Sequence, residues 1–253
     1  MTADTAPHSR DSFTGRWGFI LACIGSAVGM GNIWRFPIMV SLWGGMTFLL
    51  PYFLCVALVG SSGVIGEFAL GRSTHAGPIG AFSRCTELRT GNRRLGGAVG
   101  LIPILGSMAL AVGYTVVMGW IFKYTFLSFT GHLHGMGQDM SVIGPAFDAT
   151  AASNLPWIAA AAVFAFAIMA MGVAGGIERA NRVMMPALFF LLLGMAVYIA
   201  TLPGAAAGYR YIFTLDPRRL LDPMVWIFAF GQAFFSLSVA GNGSVIYGSY
   251  LPD

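Results

Sequence analysis

Residues 25–37 of this chain read GSAVGMGNIWRFP, in the middle of an apolar stretch that is long enough to cross a bilayer. Each glycine lowers helix propensity by about 1 kcal/mol relative to alanine, and a charge within a span costs at least about 2.5 kcal/mol by insertion scales. Gly25 and Gly29 have the GxxxG spacing of a close helix-packing face. Packing alone gives no role to Asn32 and Arg35, so a second interpretation is needed.

The second interpretation is a helix that is broken within the membrane. A break frees backbone carbonyl groups that hydrocarbon cannot satisfy. Sodium is a hard cation that binds oxygen, and the side-chain oxygen of Asn32 is suited to join those carbonyls as a ligand. The N–H groups that begin the outer half of the helix would then face an anion, such as the carboxylate of a substrate.

The sixth apolar span carries a matching interruption. Residues 231–244 read GQAFFSLSVAGNGS, which places glycine, serine and asparagine in mid-membrane after Phe234 and Phe235. Taken alone, this pattern also fits a small-residue packing seam with core aromatics. Transporters built from inverted repeats place broken helices at corresponding positions of the two halves. Two interruptions rich in oxygen atoms therefore favour a binding site formed by both.

The composition predicts an all-α membrane protein. Hydrophobic residues make up 57% of the chain and charged residues 9%, whereas soluble domains average about 25% charged residues. No segment shows the alternation of a transmembrane barrel.

After a polar cytoplasmic segment, residues 1–16, we expect one membrane domain, residues 17–253. Asp222 followed by Pro223 predicts a helix N-cap. The six predicted spans are residues 17–41, 46–71, 97–128, 155–174, 184–203 and 224–250.

The distribution of basic residues indicates topology rather than a nucleic-acid partner. With a cytoplasmic N-terminus, the inner segments hold nine arginines and the outer segments four basic residues, as the positive-inside rule requires. We therefore expect a multi-pass protein of the inner, or plasma, membrane. The loop at residues 73–96 is long enough for a short helix whose cationic face lies near anionic lipid. His132, His134 and Asp139 lack the spacing of a known zinc motif.

Two further polar residues lie at membrane depth. Glu67 is a candidate functional group, although its closeness to Arg72 also fits a carboxylate solvated at the interface. Tyr114 fits either packing or function. An intramembrane enzyme is disfavoured, because no serine–lysine, paired-aspartate or histidine–glutamate arrangement lies at this depth.

Taken together, these motifs resemble those of the neurotransmitter:sodium symporters, in particular a bacterial member with the leucine-transporter fold. The matching segments are SRDSFTGRWGF, GSAVGMGNIWRFP, GGMTFLLPY, EFALGR, the GY of the third span, GGIERANRVMMP and GQAFFSLS. The resemblance implies a helical bundle made of the first five-helix repeat and the first helix of an inverted second repeat, with helices 1 and 6 discontinuous. Because the family has eleven or twelve spans, we expect a truncated product or a fragment.

The resemblance implies sodium-coupled symport of a neutral amino acid by alternating access. Gly29 stands where monoamine-transporting relatives have an aspartate, which implies a substrate that brings its own carboxylate. Gly241 stands where a relative has phenylalanine, which leaves room for a bulky side chain. Chloride dependence stays open. The alternative is a non-transporting binding or assembly module in the lipid bilayer, as a homodimer or paired with a second half.

The resemblance also assigns residues to the substrate and to sodium. The substrate site would be lined by Ser26, Ala27, Met30, Gly31, Leu110, Tyr114, Phe235, Ser236, Ser238 and Gly241. One sodium would be bound by the Ala27 carbonyl and the side chains of Asn32 and Ser236. The other would be bound by the carbonyls of Gly25 and Val28.

Gating residues follow from the same resemblance. Arg35 would form the outer gate beside Gln232, with Phe235 as its aromatic lid. Arg10 and Phe13 would belong to the inner gate, where Phe13 replaces a tryptophan that is frequent in the family. Glu67 would brace the unwound part of the sixth span.

Overall fold

The computed structural model describes residues 13–136, 140–152 and 154–251, and within these ranges the chain is helical, with no β-strand. The helices are α1 (Arg16–Ala27), α2 (Met30–Ile33), α3 (Arg35–Trp43), α4 (Met46–Val59), α5 (Ile65–Thr74), α6 (Pro78–Thr90), α7 (Arg93–Phe129), α8 (His132–Gly135), α9 (Met140–Ala152), α10 (Leu155–Ala170), α11 (Arg179–Ala200), α12 (Ala205–Phe213), α13 (Pro223–Ser236) and α14 (Gly243–Gly248). Two π-helical segments, Gly60–Val64 and Val173–Glu178, lead directly into α5 and α11, and Arg219–Leu221 forms a 3₁₀ turn.

Several helical runs are long and apolar enough to cross a membrane. They are Met46–Thr74, Arg93–Phe129 and Val173–Ala200. The helix α1 and the run Met30–Trp43 also qualify as one span, which is bent by 63°. The helices α10 and α13 are apolar but shorter. The predicted N-cap of the sixth span is confirmed, because the Asp222 side chain accepts a hydrogen bond from the Met224 backbone N–H at 2.9 Å.

The boundary between the fourth and fifth spans differs from the predicted ends at residues 174 and 184. The helix α10 ends at Ala170, and Gly172 has a φ of 78°. This left-handed conformation is one that glycine adopts without steric cost. The next helical run then begins at once, at Val173. The fifth helix is therefore longer at its start than the sequence pattern suggested.

Polar residues at the start of this helix explain the difference. Glu178 and Arg182 interrupt the apolar pattern, but the Arg182 guanidinium donates to the Glu178 carboxylate at 2.5 Å. The other Glu178 oxygen accepts from the Thr14 backbone N–H at 2.9 Å, and Glu178 is only 1% exposed. Because Arg182 one turn later and Thr14 from the other end of the chain satisfy the carboxylate, the helix continues through it.

The described residues form two compact units. The first unit holds the described residues up to Ile104 and from Val173 onward, and its core lies where α13 packs on α4, α14 on α5, and α1 on α11. The second unit is Leu105–Gly172, in which the Asn154 amide donates to the Val116 carbonyl at 3.1 Å and so joins α7 to the start of α10. Asp139 lies outside the described residues, and the residues that are described contain no cluster of three potential metal ligands.

The helices α5 and α14 approach each other so closely that their backbones touch. A Cβ atom at Gly71 would collide with the Val245 carbonyl oxygen and lie 2.9 Å from the Ser249 nitrogen. In the reverse direction, a Cβ at Gly248 would lie 2.6 Å from the Phe68 carbonyl oxygen. Each helix therefore needs a glycine at this contact, and the contact places α14 against the second span.

Candidate functional site

The first span is broken at the position that the sequence predicts. The helix α1 ends at Ala27, Val28 has φ −82° and ψ 85°, and Gly29 is extended before α2 begins at Met30. The side-chain amide of Asn32 donates to the Ala27 carbonyl oxygen at 2.8 Å. A carbonyl at the break thus has a polar side chain as its partner inside an apolar span.

The sixth span is also broken, between Ser236 at the end of α13 and Gly243 at the start of α14. In the intervening segment Ser238, Ala240 and Asn242 have φ values of 52°, 61° and 67°. Non-glycine residues in this region cost on the order of 1–3 kcal/mol each and persist only when neighbouring groups hold them. Contacts around this unwound segment therefore determine its shape.

Glu67 supplies one of those contacts. One of its carboxylate oxygens accepts a hydrogen bond from the Ala240 backbone N–H at 2.7 Å. Its other oxygen is buried and has no hydrogen-bond partner among the residues that the structure describes. Because Glu67 lies on α5, it joins the second span to the unwound segment of the sixth span.

Direct hydrogen bonds join the two breaks. The Ser236 hydroxyl donates to the Asn32 side-chain oxygen at 2.7 Å. The Ser238 hydroxyl donates to the Ser26 carbonyl oxygen at 3.2 Å. The interruptions at residues 25–37 and 231–244 therefore face each other within the first unit.

Oxygen atoms converge where the breaks meet. The Ala27 carbonyl, the Asn32 side chain and the Ser236 hydroxyl form one hydrogen-bonded chain. Gln232 extends it by donating to the Ser236 hydroxyl at 3.3 Å, while its own Oε1 is buried without a partner among the described residues. Carbonyl, amide and hydroxyl oxygens are ligands that a hard cation prefers. The donor set therefore fits the sodium that the sequence analysis expects at Ala27, Asn32 and Ser236.

The predicted outer-gate residues lie beside this cluster. A Cβ at Gly31 would collide with the Phe235 ring, so the ring packs directly on the backbone of α2. The Arg35 guanidinium carbon lies 5.8 Å from the centre of the same ring, within cation–π range. No described carboxylate forms an ion pair with Arg35, and the Gln232 amide bonds to Ser236 rather than to Arg35.

The second predicted sodium pair, Gly25 and Val28, lies on the last turn of α1. A Cβ at Gly25 would collide with the side-chain oxygen of Asn181 on α11. The Asn181 amide also donates to the Ile177 carbonyl in the π-helical segment, at 2.9 Å. The sequence analysis gave Asn181 no role, although an asparagine within an apolar span is a signal for a polar contact.

Aromatic residues cluster at the start of α1, the end that is farther from the break. The Phe13 ring makes edge contacts with the rings of Phe19, Tyr247 and Tyr250, with centroid distances of 5.4, 5.7 and 6.3 Å. Arg10, the other predicted inner-gate residue, lies outside the described residues. The carboxylate of Glu178 adds a contact to this end of the chain through Thr14, which the sequence analysis did not anticipate.

The remaining predicted substrate residues are distributed over both units. Met30 begins α2 at the first break, and the Gly241 backbone N–H donates to the Ser238 carbonyl at 3.0 Å. Leu110 and Tyr114 lie on the part of α7 that belongs to the second unit. Their part in the substrate site stays a prediction.

Comparison with known proteins identifies relatives over almost the whole chain. A sequence model described as the sodium:neurotransmitter symporter family matches residues 10–146 and 138–252. The uncharacterized sodium-dependent transporter MJ1319 of Methanocaldococcus jannaschii is 32% identical over 96% of this chain and 50% of its own length. The uncharacterized sodium-dependent transporter YhdH of Bacillus subtilis is 34% identical over 93% of this chain and 51% of its own length.

A solved structure supports the same relationship. The crystal structure of MhsT in complex with L-phenylalanine has 38% sequence identity and a TM-score of 0.82, covering 95% of this chain and 54% of that chain. The predicted fold class, an all-α membrane protein with the leucine-transporter fold, is confirmed. The chain spans about half the length of the relatives that it matches.

Proposed function

This chain belongs to the sodium:neurotransmitter symporter family, a transporter family rather than an enzyme family, and we propose that it serves sodium-coupled symport of a neutral, bulky amino acid by alternating access. The observation that carries the proposal is the hydrogen-bonded chain formed by Ala27, Asn32 and Ser236. These oxygens come from two helices that are both broken at membrane depth, which is where transporters of this architecture hold their ions.

Sodium at these oxygens would couple the two breaks. The Ala27 carbonyl and Asn32 belong to the first break and Ser236 to the second, so one ion would be held by both. In this proposal the carbonyls of Gly25 and Val28 hold a second sodium. Both ions are cargo that moves with the amino acid.

The substrate class rests on the chemistry of the first break and on one relative. Gly29 is extended and has no side chain that could neutralise an amine, and the N-terminus of α2 that follows it favours an anion such as a carboxylate. The related MhsT was crystallised with L-phenylalanine, a bulky neutral amino acid. We propose that Phe235 and the glycine at position 241 border the substrate side chain.

A second polypeptide segment would add residues beside this site. Arg35 has no acidic partner among the described residues. The buried side-chain oxygen of Gln232 has no hydrogen-bond partner among them. These groups favour a partner that supplies further polar residues beside Arg35 and Gln232. The partner would be either a paired half or a second copy of this chain. We propose the inner, or plasma, membrane as its location, with the N-terminus in the cytoplasm, as the distribution of arginines predicts.

Binding of L-phenylalanine tests the proposal. We expect isothermal titration of the purified chain in detergent to give saturable binding in sodium and none in potassium at equal ionic strength. The Ser236→Ala variant should bind about five- to tenfold more weakly, because it loses one hydrogen bond of about 1 kcal/mol at the cluster.

The matched control is Ser61→Ala, which removes an exposed hydroxyl that bonds only to the Leu58 carbonyl of its own helix. We expect this variant to bind as the unchanged chain does. Equal binding in the two cations would contradict sodium coupling, and equal losses in the two serine variants would contradict the assignment of Ser236.

A further inference from the structure

The helix α6 is held at the membrane surface by its two neighbours. It runs from Pro78 to Thr90, between the candidate spans that end at Thr74 and begin at Arg93. Only residues 75–77 and 91–92 connect it to these spans. Since such connections reach at most about 3.5 Å per residue, or roughly 10 Å for three residues, both ends of α6 stay close to the ends of the two candidate spans.

One face of α6 is fixed against the start of α7. A Cβ at Gly100 would lie 2.9 Å from the Ile79 Cα, and a Cβ at Gly96 would lie 2.7 Å from the Ser83 Cα. Ser83, one of the residues in this contact, is buried. Because the two backbones touch, α6 has a defined rotation about its own axis.

The exposed residues of the C-terminal half of α6 and of the start of α7 are cationic. Arg84 and Arg89 on α6 and Arg94 at the start of α7 are exposed, and we call these three residues the basic face. The nearby Glu87 lies 3.9 Å from Arg93, so that pair is already formed. None of the three arginines of the basic face has an acidic partner among the described residues.

An exposed apolar side chain lies among these basic residues. Leu88 on α6 is 82% exposed, next to Arg89 and one turn after Arg84. An exposed leucine would contribute nothing to the binding of a soluble anion. A helix that lies in the membrane interface, by contrast, places apolar side chains among the lipid chains and basic side chains at the head groups.

We propose that the basic face of α6 binds anionic phospholipid. The guanidinium groups of Arg84, Arg89 and Arg94 pair with lipid phosphates, for which arginine has matching geometry, and Leu88 inserts at the head-group boundary. Each basic residue near an anionic surface contributes on the order of a fivefold gain in affinity at low salt. The three arginines and Leu88 are not among the residues assigned to sodium or to the substrate.

Lipid retention by the purified chain tests this site. The chain is mixed in neutral detergent with equal amounts of phosphatidylglycerol and phosphatidylcholine, and bound lipids are counted by native mass spectrometry. We expect a preference for phosphatidylglycerol of at least about tenfold that falls as salt rises. The variant R84Q/R89Q/R94Q should lose the preference, and Leu88→Ser should reduce retention of phosphatidylglycerol.

Control variants separate this site from a general effect of charge. R210Q/R218Q/R219Q removes the same number of exposed charges from residues 210–219 and should keep the preference. The unfolding midpoint of each variant in neutral detergent checks that it still folds, and exposed arginines should leave it unchanged.

Equal retention of the two lipids by the unchanged chain would overturn the proposal, and so would equal losses in the two triple variants. Displacement of the lipid by inorganic phosphate, with no effect of Leu88→Ser, would show a soluble-anion site instead and would also overturn it.

Discussion

Replacing Asn32 with leucine is expected to abolish the stabilisation of the chain by sodium and to lower its free energy of unfolding by about 2–6 kcal/mol. Leucine has nearly the same size as asparagine but can neither donate to the Ala27 carbonyl nor accept from the Ser236 hydroxyl. Both groups would be left without their present partner at membrane depth, where each costs about 1–3 kcal/mol. Unfolding in detergent, followed by circular dichroism with and without sodium, measures both effects.

A double-mutant cycle provides the control. Asn32→Leu and Ser236→Ala are measured singly and together, and their effects should be strongly non-additive because the two residues share a hydrogen bond. The exposed Ser61→Ala, combined with Asn32→Leu in the same way, should be additive. If Asn32→Leu kept the full response to sodium, Asn32 would not belong to the ion site.

Replacing Gly71 with alanine is expected to destabilise the chain by about 1–3 kcal/mol or more, the usual cost of an overpacked contact. The added Cβ would collide with the Val245 carbonyl oxygen, which belongs to a backbone and cannot rotate away. To accept the methyl group, α14 would have to move away from α5, and the Glu67 contact with Ala240 on the same pair of spans would be lost. The free energy of unfolding in detergent and the L-phenylalanine titration should therefore both be affected.

Gly66→Ala is the matched control for this substitution. Gly66 lies on the same helix, and a Cβ there would meet nothing within 4 Å. Alanine should stabilise that position by up to about 1 kcal/mol through helix propensity alone. Similar effects of the two substitutions would show that α5 and α14 do not pack as closely as the structure indicates.

The two broken spans were predictable from sequence because local chemistry causes them. Glycine at positions 25, 29 and 31 weakens the first helix, and Asn32 supplies the polar partner that the break requires. The same logic identified residues 231–244. It did not predict that Ser238, Ala240 and Asn242 would adopt positive φ values, because that conformation depends on contacts such as the one from Glu67, which is far away in sequence.

The start of the fifth helix was not predictable for a similar reason. A window of sequence containing Glu178 and Arg182 has the polarity of a loop, and the hydrogen bond from Thr14 that allows the helix to continue comes from the other end of the chain. Asn181 and Gly71 were overlooked because an asparagine or a glycine in a span has no defined role until its neighbour is known. Local breaks can be derived from the residues that make them, whereas contacts between distant helices require the fold.

The oxygens at the two breaks are proposed to form a sodium site within this chain. Its most direct test is the unfolding midpoint of the purified chain in detergent while sodium replaces potassium at constant ionic strength. A ligand that binds only the folded form stabilises it by RT ln(1 + [L]/Kd), or about 2.7 kcal/mol at a hundredfold excess over Kd. We expect a midpoint that rises with sodium in the unchanged chain and stays constant in Asn32→Leu. A midpoint that is the same in sodium and potassium would contradict it.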